Sequence, residues 1–223
     1  MHALDQIRRA VRHLNPDRVL EDASRPVDLD LEDLGSDSES NVREILKQCP
    51  ELSLALARRL PPFRQPVIAR IIREVSRDNA LFVMFTALPS AIPNLLSLGW
   101  TAGEFASDTA VLTVNQVRMA FLIAAASGQP VGYFEQKAQI ASIIAGAFGW
   151  RALARQLAGK IPFGEGLIPK AAIAYAGTYV VGASLEKYNR IGTALTGSER
   201  EAAYRQALDS GKRLARWALG AEQ

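Results

Sequence analysis

Cysteine and histidine are almost absent from this chain. Cys49 is the one cysteine among 223 residues, so no internal disulfide can form, and the sequence fits a reducing compartment. The two histidines, His2 and His13, sit near the start. With one cysteine they assemble no zinc set, and a His-based triad would have to draw on these peripheral positions. There is no G-x-S-x-G elbow and no G-x-x-x-x-G-K-[ST] phosphate loop; Gly211–Lys212 is followed by Arg213. Aromatics are 7% of the residues and the net charge is only +3, which offers few stacking platforms and little reason to expect nucleic acid. We therefore expect no catalytic residues, no cofactor and no metal. Five central carboxylates, Glu104, Asp108, Glu135, Glu165 and Glu186, are the only material for acid–base chemistry, and their spacing pairs none of them. The first residues carry three arginines and no apolar run, unlike a signal peptide. The expected location is cytoplasmic or peripheral to the inner membrane.

Charge is also missing from the middle. Residues 1–79 hold 27 charged side chains, residues 80–187 only 12, and residues 188–223 hold 10. Eleven of the 16 glycines lie in the middle segment. Either the flanking helices sheath this segment, or it faces lipid, where charge is costly and small residues let helices approach closely.

Apolar spacing predicts an all-α chain: a helical bundle with a Gly/Ala-rich apolar central module and short amphipathic flanking helices. The expected divisions are a basic helical region at 1–23, an acidic linker at 24–40, flanking helices at 41–79, the apolar module at 80–192 and a terminal amphipathic helix at 193–223. Within the first, a basic helix over 3–14 ends before Asn15–Pro16. Asn41 with Glu44 resembles a capping box, and Pro50 opens a further helix over 50–60. Pro66 suits the first turn of a helix running to about Arg77, with Val67, Ile68, Ile71, Ile72 and Val75 on one face. Residues 79–103 are uncharged, but Pro89 and Pro93 interrupt them. Residues 108–127 form the longest helix, stopped by Gly128 and Pro130. Another helix is expected over 135–149, then a Gly/Pro loop over 161–169 and a helix over 170–187. Ser198 with Glu201 matches a capping box for the last helix.

Three sets of residues stand out. Ala174, Thr178 and Gly182 recur every four residues as a helix-packing ridge. Arg151, Arg155 and Lys160, with Lys212, Arg213 and Arg216, are candidate contacts for an anionic surface, and Trp217 stands beside the second group. Arg118 lies in the middle of the apolar helix 108–127 and is a buried-polar candidate. At the centre of a bilayer it would cost about 2.5–3.5 kcal/mol; in a bundle its stem need only carry the charge to the surface. That residue argues against a simple multi-span membrane protein.

Several stretches carry a resemblance. These are the proline-broken opening ALPSAIPNLLSLGW, the Val117–Met119 step, the helix-ending Gly128, and above all LARQLAGKIPFGEGLIPKAAIAYAGTYVVGASLEKY over residues 153–188. From roughly Ala80 to Gly192 the chain resembles a bacterial domain family of unknown function that often follows Era-like GTPase domains and includes YcjF-like membrane-associated proteins. The resemblance implies a helical, membrane-associated module working with a GTPase, and it supplies no catalytic residues. This chain lacks a P-loop, so that GTPase would be a separate chain. The competing expectation is a soluble bundle that binds a small apolar ligand or another protein.

Overall fold

A computed structural model describes residues 14–28, 38–86, 108–143 and 167–220. The described residues are mostly helical, with no strand among them: α1 (Pro16–Ala23), α2 (Ser38–Gln48), a 3-10 turn (Pro50–Leu52), α3 (Ser53–Arg59), α4 (Pro61–Thr86), α5 (Asp108–Ala126), α6 (Leu167–Ile191) and α7 (Gly197–Ala218). Residues 137–143 are also helical. The expected break at Leu88–Pro93 lies outside the described residues, as does most of the helix over 3–14.

Several boundaries differ from the sequence expectations, each for a local reason. Asn15–Pro16 starts a helix as well as marking a boundary: Asn15 Oδ1 accepts from the Asp17 amide at 3.0 Å, and Pro16 occupies the first turn, where no N–H partner is needed. Asn41 lies inside α2, which begins at Ser38, so Asn41 and Glu44 do not form its cap. Glu44 instead accepts from Gln48 one turn on, at 3.0 Å. Pro66 does not begin a helix. It sits inside α4, which starts at Pro61 and runs past Arg77 to Thr86. An interior proline costs about 3 kcal/mol, but Phe63 and Val67 on either side are 0% and 2% exposed, and their burial offsets it. The loop expected over 161–169 gives way to helix at Leu167, with Pro169 in the first turn.

Gly128 ends α5 as expected. Its φ is +77°, and a Schellman pair closes the helix: the Gln129 amide donates to Ala124 O at 2.9 Å and the Gly128 amide to Ala125 O at 3.0 Å. The drop in charge density at Asn79–Ala80 falls inside α4 and marks no backbone break.

Helix α4 is the spine between two cores. On one side, Val67, Ile68, Ile71, Ile72 and Val75 pack with α1, α3 and α5 in a large aliphatic core. Towards its C-terminus, Ala80 and Met84 join Ala171, Tyr175 and Ala176 of α6 with Ala207 and Ala215 of α7. Small residues set this second contact. A Cβ on Gly211 of α7 would fall 2.8 Å from Ala172 Cα and 2.9 Å from Tyr175 Cβ. Helices α6 and α7 form an antiparallel hairpin, tied at its turn by Lys187 Nζ, which donates to Glu199 at 2.7 and 2.8 Å.

The α7 cap is Thr196 with Glu199, two residues before the expected Ser198–Glu201 pair. Thr196 Oγ1 accepts from the Glu199 amide at 3.3 Å, and Glu199 accepts from the Thr196 amide at 2.8 Å. Lys187, then Thr196, hold the Glu199 carboxyl well below its ordinary 4.5, at about 2.

Alanine normally favours a helix over glycine by about 1 kcal/mol, yet Gly211→Ala should destabilise the protein by about 1–3 kcal/mol through overpacking. Gly197→Ala, with nothing within 4 Å, should leave the melting temperature unchanged or slightly raised; equal melting of the two variants would contradict the close approach. Because the folded Glu199 pKa is depressed, its contribution is fully present above about pH 4.5 and is lost as pH falls towards about 2. Denaturant unfolding at stepped pH should therefore show stability falling across that window, and Glu199→Gln should flatten that limb.

Candidate functional site

The described residues contain no cluster of three or more His, Cys, Asp or Glu side chains placed to hold a metal. Two polar arrangements remain, one buried and one at the surface.

The surface arrangement is a groove of about 250 Å³ lined by Arg73, Glu74 and Arg77 of α4, Tyr175 of α6, and Ser210 and Leu214 of α7. Arg73 and Arg77 are one turn apart, exposed, and form no hydrogen bond or salt bridge with a described residue. Glu74 is already paired, with Arg70 Nε at 2.7 Å. Arg213 approaches from α7 and donates to Ser210 Oγ at 3.0 Å. The floor is Tyr175, only 8% exposed and stacked on Tyr179 at 6.4 Å between centroids. Burial pushes the Tyr175 phenol above its ordinary value and Tyr179 adds to this, while Arg73 and Arg213 pull the other way. The hydroxyl therefore stays protonated at neutral pH.

Of the expected surface contacts, Lys212 is half-buried and bonded to Asp209 at 3.3 Å, and Arg213 and Arg216 are exposed. Arg151, Arg155 and Lys160 lie outside the described residues. Arg118 is exposed, which corrects the expectation of a buried arginine: its stem carries the charge out of α5. It reaches the neighbourhood of Asp78, whose carboxyl is raised by burial and partly pulled back by Arg77 and Arg118. The sequence marks Arg73 and Arg77 only as the wet side of a helix. Nothing local links them to Tyr175 or Arg213, which arrive from distant helices.

The buried arrangement joins α4, α5 and α6. Asn79 Nδ2 donates to Thr178 Oγ1 at 2.9 Å, and Gln116 Nε2 reaches the same oxygen at 3.4 Å. Asn115 Nδ2 donates to Asn79 Oδ1 at 2.7 Å. Thr178 is one member of the packing ridge. Gly182, one turn on, is a second: its missing Cβ would fall 2.8 Å from Ile72 Cγ1 and 3.0 Å from Met119 Sδ. Ala174 is half-buried. The sequence signal for this junction is two amides, Asn115 and Gln116, in an otherwise apolar helix. Asn79→Ala should remove the central member and leave Thr178 and Asn115 short of partners. We expect a loss of about 2–4 kcal/mol in denaturant unfolding; a loss no larger than that of an exposed substitution would deny the junction its structural part.

Comparison of the chain with protein-family models, with curated protein sequences and with solved structures finds no match.

Proposed function

We propose that this chain is a non-catalytic helical module that docks peripherally on the cytoplasmic face of a membrane and works with a separate GTPase. The observation that carries the membrane reading is one end of the bundle. Helix α4 runs antiparallel to α6, as the Ile72–Gly182 and Asn79–Thr178 contacts require, and α7 runs antiparallel to α6 as well. The C-termini of α4 and α7 and the N-terminus of α6 therefore share that end. Phe85, Trp217 and Leu219 are exposed there at 47%, 60% and 40%. Lys170, Arg213 and Arg216 are exposed around them.

Aromatic rings beside cations that form no salt bridge with a described residue suit an anionic lipid interface, where each basic residue contributes about 1 kcal/mol and aromatic side chains enter the headgroup boundary. No helix among the described residues is long and apolar enough to cross a membrane, so the docking proposed here is from one side. The GTPase partner is supported by the family resemblance of residues 80–192.

Flotation with phosphatidylcholine vesicles, with and without phosphatidylglycerol, tests the reading. Binding should require the anionic lipid, weaken with salt and fall several-fold in Trp217→Ser. A protein that ignores anionic vesicles even at low salt would sink it.

A further inference from the structure

The groove between α4, α6 and α7 has a chemistry of its own, finer than general attraction to an anionic surface. Two arginines, Arg73 and Arg77, line it, and a third, Arg213, acts on the Tyr175 phenol from α7. Its one carboxylate, Glu74, is already held by Arg70. Arg73 and Arg77 form no salt bridge with a described residue, so the lining keeps a net positive charge. Tyr175, more than nine-tenths buried, forms its floor, and its hydroxyl has no hydrogen-bond partner among the described residues. The residue lines the groove, so its phenol is available to a ligand there. At about 250 Å³ the space falls below the usual range for drug-sized ligands, and it suits a headgroup. Guanidinium groups bind phosphate by paired, charge-assisted hydrogen bonds. A phosphomonoester carries about −1.5 to −2 charge at neutral pH and three terminal oxygens, which matches two lining arginines, a third nearby and a phenol better than a singly charged phosphodiester does.

We propose that this groove binds the phosphomonoester headgroup of an anionic lipid, held by Arg73, Arg77 and Arg213 from two walls and by the Tyr175 hydroxyl from the floor. The proposal rests on the membrane reading above and adds headgroup selectivity to it. Leu214 on the α7 wall gives the glycerol end an apolar neighbour.

The test compares the full chain on phosphatidylcholine vesicles containing phosphatidic acid or phosphatidylglycerol, matched in surface charge. Soluble glycerol phosphate, followed by thermal shift, forms a third arm. Phosphatidic acid should be bound about ten-fold more tightly than phosphatidylglycerol. The double variant Arg73→Gln/Arg77→Gln should lose that advantage while keeping its binding to phosphatidylglycerol within about three-fold. Both side chains are exposed, so folding should survive, and circular dichroism melting checks it. Tyr175→Phe keeps the ring and removes only the unpartnered hydroxyl. It should weaken phosphatidic acid binding about three- to ten-fold without lowering the melting temperature.

Equal binding of the two lipids overturns the groove proposal and leaves the membrane reading standing. A preference that survives the double variant also overturns it. A thermal shift with glycerol phosphate but no binding to either vesicle would assign the groove to a free phosphoester, and both the lipid proposal and the membrane reading would fall.

Discussion

The bundle depends on how closely α6 can lie against its neighbours. Beside Tyr175, Val180 and Leu185, its buried face carries Ala171, Ala172, Ala176, Gly177, Thr178 and Gly182, and none of these small residues holds a neighbouring helix away. Gly182 meets Ile72 and Met119, and on α7 Gly211 meets the backbone of Ala172. With so little side chain to bury, stabilisation at these contacts comes from short backbone distances and many small dispersion terms. An added methyl has no space to relax into, because part of what it meets is main chain.

Close approach has a second effect, on polar groups. Helices α5 and α6 are apolar around most of their circumference, so burial of area alone leaves their rotation weakly determined. The Asn79, Asn115, Gln116 and Thr178 side chains remove that freedom. Each amide needs a partner once water is excluded, and the observed rotation and height of the three helices satisfy the set. Ser76, one turn earlier on α4, is fully buried and its hydroxyl has no partner among the described residues, so the polar pattern of this face is not completed everywhere. The ridge supplies proximity, and the amides supply register.

Helicity was legible because it is local. Val67 to Val75 repeat at helical spacing, and Gly128 ends α5 with the positive φ that its position demands. What escaped was set by distant residues or by two local signals of equal strength. Thr196–Glu199 and Ser198–Glu201 both fit a capping box. Lys187, from the preceding helix, favours the first by bonding Glu199. Pro66 reads as a helix start until Phe63 and Val67 are seen buried on both sides of it. Arg118 reads as a problem in an apolar helix until its exposed position is known. The groove was least legible: Arg77 and Tyr175 are close only because α4 and α6 run antiparallel, a property of topology that no window of sequence contains.

That same topology decides where charge and apolar surface fall relative to each other. Helices α4 and α7 run in the same direction, so side chains on both can be ordered by height along the bundle. Arg77 precedes Phe85 by two turns of α4, on the order of 12 Å, and Arg213 precedes Trp217 by one turn of α7, on the order of 6 Å. On both helices, then, the aromatic residue leads and the arginine follows. Had α7 run the other way, its arginine would lead and its aromatic would lie behind the groove. An interface entered by the rings to about 5–10 Å would place the guanidinium groups at phosphate level, with long stems to adjust the remaining distance. The Arg-lined groove and the exposed aromatic end therefore fall at successive heights along the bundle, and their order follows from the antiparallel packing of α6 against both neighbours.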